Sequence, residues 1–320
     1  MRSLFKLYFE TKSAADIAKA AKINVTLAEF FDEKFYGFVK ATKRRSTHDL
    51  YLFNKHFRMS LGAMRLIDIT SEDIDNWLLK QVEAGYKSST INKHASMLNR
   101  MLNIAVHWEY LERNVFKGAA MRKLPTGNHV QRFLTRSDIS CLLSACKKST
   151  HPYLYLFVKI LLLTGARKSE LRLAKWKDVD YLKKELFVAL SKSGRSRTIH
   201  LSNAAIDVLE SVKQRSRALG LPMTGDSYIF TNPRTHKPYN SFHLAFFAAR
   251  KHAKLETVRI HDLRHTYASL LINNGASIYE VQQLLGHHHV SMTERYAQLF
   301  PNTLQDRVNI ISKTIDLEVI

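Results

Sequence analysis

The stretch LLLTGARKSEL at residues 161–171 decides how this chain is interpreted, together with two segments far downstream, HDLRHTYASLL at 261–271 and LGHHHVSMTERYAQL at 285–299. Signals that start and end helices separate these segments. Each segment carries side chains that can bind or attack a phosphodiester. These side chains are Arg167, His261, Arg264, His287 and Tyr296. We expect them to form a single phosphate site.

Two arginines supply the expected phosphate contacts. His261 and Arg264 are three residues apart, a spacing that puts both side chains on one face of a helix. A guanidinium offers a planar fork of donors to phosphate oxygens, and two forks can stabilise a pentacoordinate transition state. Arg167, which follows Gly165 between two helical segments, would be the second fork. Either arginine alone would more often be a surface ion-pair partner, so the prediction depends on the joint pattern.

Tyrosines are the candidate nucleophiles. A phenol with a pKa of about 10 attacks phosphorus poorly at neutral pH, so it needs nearby cations and a base. Tyr296 competes with Tyr267, at a position typical of the core, and with Tyr279, which lies within the next helix. His265 is expected to be a structural, hydrogen-bonding histidine. The adjacent pair 288–289 suggests a metal site, but no cysteine or carboxylate is arranged to complete one, so no metal is expected.

The charge of the chain indicates a polyanionic partner. Its 320 residues contain 49 Lys and Arg against 28 Asp and Glu, a formal charge of +21, and the pI is about 9.9. A merely basic soluble protein is the alternative. Cys141 and Cys146 lie on one predicted helix without metal-ligand spacing, which fits a reduced compartment. The longest apolar stretch, 153–163, is too short to cross a bilayer, so a cytoplasmic protein is expected.

The apolar periodicity predicts two domains. Residues 1–24 are a short appendage whose role is not predicted, and 25–117 have helical spacing throughout, enough for four helices. Thr70 with Asp73, and Ser89, are predicted N-caps of the last two of these helices. Residues 118–132 form a basic linker, and 133–320 form the second domain with a C-terminal tail. The candidate DNA contacts are Lys43, Arg44, Arg45, Lys93, Arg122, Lys123 and Arg132.

In the second domain, short strand-like runs at 185–190 and 197–201 predict a hairpin with Lys192 near its tip. Ser291 and Glu294 form a capping-box pattern, which predicts that Tyr296 lies in the opening turns of a new helix. The other predicted helices start at the caps Thr135, Ser202, Ser241 and Ser277 or end at Gly275 and Gly286.

The three quoted segments resemble the catalytic boxes of the tyrosine recombinase (phage integrase) family, and the phage-type integrases in particular. The resemblance covers about residues 133–300, and the preceding helices resemble the family's SAM-like core-binding domain by layout. It implies a mainly α fold with a small antiparallel sheet, in which a helical SAM-like core-binding domain precedes a tyrosine recombinase catalytic domain. An additional arm-binding domain is not expected, because 1–24 are too short for one.

The resemblance also assigns roles. Arg167 and Arg264 match the two catalytic arginines, His261 and His287 match the two histidine positions, and Tyr296 matches the nucleophile. Glu170 matches the acidic position, where it would orient Arg167; an exposed ion pair three residues from Arg167 is the alternative. Lys192 matches the catalytic lysine, which the family carries on such a hairpin; an ordinary turn lysine is the alternative.

The function implied by the resemblance is site-specific recombination of DNA through a 3′-phosphotyrosyl link. The expected partners are double-stranded DNA with paired sites, further copies of the chain in a homotetramer, and accessory bending or directionality proteins. No cofactor is expected, since the link conserves the bond energy and no G-x-x-x-x-G-K-[ST] loop is found. Two rivals stay open, a type IB topoisomerase and a catalytically silent DNA-binding factor. An apolar stripe in 302–320 would dock on a neighbouring protomer or on its own domain.

Overall fold

Residues 24–43, 46–120, 123–126, 132–189, 196–287, 289–294 and 296 are described by the structure, a computed structural model. The chain divides into two compact units, residues 1–129 and 130–320, each with its own hydrophobic core. The predicted fold class, mainly α-helical with a small antiparallel sheet, is confirmed. Within the described ranges, every helix is too short or too polar to cross a membrane.

The first unit is helical in its described part. Its α-helices are α1 (Leu27–Phe30), α2 (Tyr36–Thr42), α3 (Thr47–His56), α4 (Ser71–Glu83) and α5 (Ser88–His107). A π-helical segment, Phe31–Phe35, joins α1 to α2 and turns two phenylalanines into the core. There Phe31 stacks on Phe53 with their ring centroids 3.9 Å apart. Aromatic contact of this kind contributes roughly 0.5–1.5 kcal/mol beyond the burial of apolar area.

Of the two N-caps predicted in this unit, one is confirmed and the other is wrong. Thr70 and Asp73 form the predicted capping box of α4, since the Asp73 amide donates to the Thr70 hydroxyl at 3.2 Å. The prediction that Ser89 caps α5 is wrong. The extended backbone at Lys87 already starts the helix, so α5 begins at Ser88 and Ser89 lies inside its first turn.

Part of the stretch 118–132 packs onto the first unit. Ala119 is buried in the core of that unit. The backbone of Leu124 donates to the Asn92 side-chain oxygen and accepts from its nitrogen, both at 2.9 Å. These contacts attach the start of the stretch to α5, and the linker boundaries stay a prediction.

The second unit combines helices with the sheet. Its α-helices are α6 (Arg136–Lys147), α7 (Leu154–Thr164), α8 (Lys168–Leu173), α9 (Asn203–Ala218), α10 (His243–His252), α11 (Asp262–Asn273), α12 (Ile278–Leu285) and α13 (Ser291–Glu294). The apolar helix α7 packs against α6, α9 and α11. Phe157 on α7 stacks on Phe242 at 3.8 Å between centroids. Because three helices pack against α7, the position of its C-terminal end, which precedes Arg167, is fixed.

The sheet lies between α8 and α9 in the chain. Its strands are β1 (Val179–Asp180), β2 (Glu185–Val188) and β3 (Arg197–His200). They pair antiparallel in the order β1-β2-β3, and Val188 is opposite Arg197. Strands β2 and β3 are the predicted hairpin. Strand β1 was not predicted, because two residues are too few to show alternation. Lys192, predicted near the tip, lies outside the described residues.

One helix start and one helix end differ from prediction in the second unit. Ser241 accepts a hydrogen bond from the His243 amide at 3.0 Å, but Phe242 is the N-cap of α10, one residue later. A helix does start at Ser291, but Tyr296, predicted to lie in its opening turns, is assigned to the turn that follows. Helix α13 spans four residues, and the Tyr296 amide then donates to the Thr293 carbonyl at 2.8 Å in a turn.

Candidate active site

Arg167 is positioned by the end of α7 and the start of α8. Gly165 ends α7 in the left-handed conformation (φ 59°), and a Cβ there would lie 2.2 Å from Cδ1 of Tyr267. Only glycine satisfies both conditions. Tyr267 therefore packs its ring against the backbone of this turn, and it is partly buried against the core cluster of Ala268 and Leu285. Arg167 follows as the N-cap of α8.

The Glu170 carboxylate is the centre of a polar cluster. It is 6% exposed. Its two oxygens accept from the Arg167 amide and Nη1 (both 2.8 Å) and from Arg197 Nη2 (2.7 Å) and Nε (3.2 Å). Burial would raise the pKa of Glu170, but the hydrogen bonds and charges of Arg197 and Arg167 lower it below its usual value. Glu170 is therefore ionised and buried, not an exposed partner.

Arg264 is the most deeply buried arginine of the site. It is 3% exposed, and its Nη1 and Nη2 donate to the carbonyls of Gly165 (2.8 Å) and Leu285 (2.5 Å). Burial, followed by repulsion from Arg167 and Arg197, lowers the pKa of Arg264 to about 9. The guanidinium is still charged at neutral pH, in a place where burial and like charges disfavour it.

His261 does not share the burial of Arg264, although both lie at the start of α11. His261 is the N-cap of the helix and is exposed. Loss of water around the ring, and then the Arg264 charge, lower the pKa of His261. The ring centroids of His261 and His265 are 4.9 Å apart, and the two rings meet edge to face. A neutral imidazole at neutral pH can accept a proton.

Tyr296 is buried with its hydroxyl against His265. The residue is 1% exposed and packs with Ala268 and Leu285. Its Oη lies 2.6 Å from Nδ1 of His265, so the predicted structural histidine does form a hydrogen bond, and its partner is the candidate nucleophile. Tyr279, the other competing tyrosine, is exposed on α12.

The turn after α12 places Gly286, the residue before His287, against Arg167. Gly286 ends α12 in the left-handed conformation (φ 64°), and Arg167 Nη2 is 3.4 Å from its carbonyl oxygen. His287 Nδ1 is 2.8 Å from the Thr293 hydroxyl, which links the turn to α13. Hydrogen bonds among Arg167, Gly165, Arg264, Leu285 and Gly286 thus join the three segments, and their action as one phosphate site stays a prediction.

Arg197 belongs to the cluster and was missed by sequence reasoning. It starts β3, and it is partly buried on the same face as the buried Ile199, whereas the neighbours of Ile199 are exposed. An arginine in register with a buried isoleucine was the available signal, since alternate strand residues share a face.

The candidate DNA contacts differ in their surroundings. Lys93, Lys123 and Arg132 are exposed. Lys43 instead pairs with the buried Asp49 at 2.9 Å, which also pairs with Arg100. Arg44, Arg45, Arg122 and Lys192 lie outside the described residues. Among the residues described, no three His, Cys, Asp or Glu side chains are grouped as a metal site requires.

Comparison with known proteins identifies the family. The sequence model of the phage integrase family matches residues 132–303, more than half of the chain. The chain belongs to the phage integrase family. The ICEBs1 integrase of Bacillus subtilis (strain 168) is 25% identical over 271 residues, which cover 79% of this chain and 73% of that protein.

Two solved structures of integrases share the fold of this family member. The Tn1549 transposon integrase in complex with circular intermediate DNA has a TM-score of 0.70 at 20% identity, over 85% of this chain and 95% of that one. A lambda integrase tetramer bound to a Holliday junction has a TM-score of 0.67 at 23% identity, over 85% and 77% of the chains.

Proposed function

We propose that this phage integrase family protein is a site-specific DNA recombinase that cuts and rejoins DNA through a phosphotyrosyl link at Tyr296. One observation carries the proposal: two partly buried guanidinium groups are held on one buried carboxylate, a third is buried on backbone carbonyls, and a tyrosine hydroxyl on the same unit contacts a histidine. Family membership supports a recombinase over its rivals.

The charge of the cluster fits a phosphodiester. Arg167, Arg197 and Arg264 against Glu170 leave two positive charges in the site. A phosphodiester carries one negative charge and gains a second as its phosphorus becomes pentacoordinate. Interactions that strengthen as this charge develops lower the barrier, and a pre-arranged site does not have to reorganise at that moment.

The reaction proposed is transesterification. The Tyr296 oxygen forms a bond to phosphorus, the bond from phosphorus to the 5′ oxygen breaks, and Lys192 supplies the proton to the leaving oxygen. The phenol proton goes to a neutral histidine, and His261 suits this role because its lowered pKa leaves it neutral. A 5′-hydroxyl then reverses the steps on the same or another strand, so no nucleotide cofactor is needed.

Tyr296 has to leave its buried position to react. At 1% exposure, its hydroxyl is inaccessible to a phosphate the size of a DNA backbone group. The Arg264 guanidinium, by contrast, is already held in place by two backbone carbonyls and does not have to move. Phosphate binding and nucleophile delivery are therefore separable events in this protein.

The proposed partners are duplex DNA and further copies of the chain. A formal charge of +21 suits a polyanion, and phosphate contacts position a protein on DNA. Exposed Lys93, Lys123 and Arg132 are proposed as such contacts. Assembly as a tetramer on paired sites is supported by the similarity to lambda integrase, which is known as a tetramer on a Holliday junction.

Two measurements test the proposal. Sequencing of the DNA retained by a Tyr296→Phe variant should return a paired inverted repeat with a short spacer. A nicked duplex carrying that site should then trap wild-type protein covalently, while Tyr296→Phe binds equally well and forms no adduct, because one hydroxyl adds little to a phosphate-dominated interface. Relaxation of plasmids that lack the site would favour a topoisomerase, and binding without any adduct would favour a silent factor.

A further inference from the structure

Arg197 connects three segments of the site. Its Nη2 and Nε donate to the Glu170 carboxylate at 2.7 and 3.2 Å, and its Nη1 donates to the Leu284 carbonyl at 3.1 Å. The strand β3, the start of α8 and the end of α12 are thus joined through one guanidinium. A fork of this geometry holds a carboxylate more rigidly than a lysine does.

The space for Arg197 is provided by Gly286. A Cβ on Gly286 would lie 2.5 Å from Cδ of Arg197 and 3.0 Å from its Nη1. Because Gly286 has no side chain, the Arg197 side chain can pack against the backbone just before His287. Gly286 thus serves both the left-handed turn and this close approach.

The same carboxylate serves two arginines. If Arg197 were removed, Glu170 would be left with Arg167 as its charged partner. A buried carboxylate with one cation would hold that cation tightly and cancel its charge. With Arg197 present, Glu170 is already neutralised, and the charge of Arg167 remains available to an incoming anion.

We infer that Arg197 is a positioning residue of the phosphate site, which neutralises Glu170 and so leaves the charge of Arg167 for the scissile phosphate. The inference rests on the proposed function and extends it to a residue that does not itself touch the reacting atoms. A purely structural Arg197 would affect the stability of the unit and would be indifferent to the charge of the substrate.

The test compares substrates of different charge. Single-turnover covalent trapping is measured on the nicked site with a scissile phosphodiester and with a neutral methylphosphonate. Arg197→Met should slow trapping on the phosphodiester by about 10- to 100-fold, the usual effect of a residue that orients a reactive group. On the methylphosphonate the loss should shrink to less than about threefold, since less negative charge develops there.

Controls separate charge from folding. Arg250→Met removes a partly buried arginine that also donates to a carbonyl, that of Val258 at 2.6 Å, and it should affect both substrates alike. Arg197→Lys keeps the charge and loses the fork, so it should preserve the wild-type preference between substrates even where its rates fall. Thermal unfolding of each variant shows whether it is folded, and Arg197→Gln, also neutral, takes the place of Arg197→Met if Arg197→Met is not.

A double-mutant comparison addresses the route through Glu170. In a Glu170→Gln background the carboxylate charge is gone, so Arg197→Met should cost less than about threefold further. Equal losses on both substrates, together with an undiminished loss in the Glu170→Gln background, would overturn this inference alone. A wild-type protein that forms no adduct would overturn the proposed function and this inference with it.

Discussion

The two units differ in the charge state of a buried titratable side chain. In the first unit, the rings of His94 and His56 are in contact, tilted by 33° with their centroids 3.9 Å apart. Burial, followed by the positive charges around it, lowers the pKa of His94 to about 4, so the ring is neutral at neutral pH. In the second unit Arg264 is buried too, but its pKa of about 9 keeps it charged.

The difference separates a core from a reactive site. A buried core group stays neutral when burial makes its charged form costly, because the neutral form loses less hydration free energy. The arginine cluster retains charges that repel one another, and one carboxylate does not balance them. An anion would stabilise an unbalanced buried cluster, so the proposed binding of a phosphate would offset the energetic cost of these charges in the free protein.

The largest effect is expected at Lys192, the residue that we propose protonates the leaving oxygen. Lys192→Ala should slow cleavage by about 10²- to 10⁴-fold, the usual worth of a positioned general acid. A 5′-phosphorothiolate, whose sulfur leaves without a proton, should restore most of that rate, as measured by single-turnover cleavage of the two substrates. Equal slowing on both substrates would reduce Lys192 to a DNA contact.

The next largest effect is expected at Arg264, whose charge is retained despite burial. Arg264→Met should lower the cleavage rate by about 10²- to 10³-fold, the loss typical of one transition-state donor. Its free energy of unfolding should fall by no more than about 2 kcal/mol, because relief of repulsion offsets the lost bonds to Gly165 and Leu285. Denaturant titration beside the kinetics checks both. A large loss of stability with normal cleavage of the folded fraction would make Arg264 structural.

Local rules explain what the sequence could predict. The Arg167 and Glu170 contact spans three residues, the capping boxes follow from single motifs, and Gly286 ends α12 as predicted. The family resemblance then placed the distant segments together. These features depend on near neighbours or on a known pattern.

The remaining features depend on tertiary contacts. Arg197 reaches Glu170 across 27 residues and Leu284 across 87, and Tyr296 meets His265 across 31. No periodicity encodes such a pairing, because it arises only when separate elements pack. The burial of Tyr296 was missed for the same reason.

A smaller effect is expected for His94, the neutral group of the comparison, in the pH dependence of the free energy of unfolding. His94 binds a proton less readily folded than unfolded, so its contribution is complete above pH 6.5 and is lost as the pH falls towards 4. We expect about 1–2 kcal/mol of this loss, after allowance for solvent screening. His94→Phe should flatten the pH dependence of unfolding, and His107→Phe, an exposed control on the same helix, should not. Equal flattening by both would contradict the role of burial.

The smallest expected effect concerns the resting position of the nucleophile. His265→Phe removes the hydrogen-bond partner that lies 2.6 Å from the Tyr296 hydroxyl. A lost hydrogen bond of about 1 kcal/mol should favour release of the phenol and raise trapping on the nicked site about threefold to tenfold. Slower trapping would show instead that His265 takes part in the attack.

The link between Tyr296 and phosphorus is tested most directly by locating it. The adduct trapped on a nicked site is digested with protease and nuclease, and the peptide that carries the nucleotide is sequenced by mass spectrometry. We predict a 3′-nucleotide on Tyr296, in a protein whose Tyr296→Phe variant yields no such peptide. A nucleotide on Tyr267 or Tyr279, or an adduct that survives in Tyr296→Phe, would contradict the assignment.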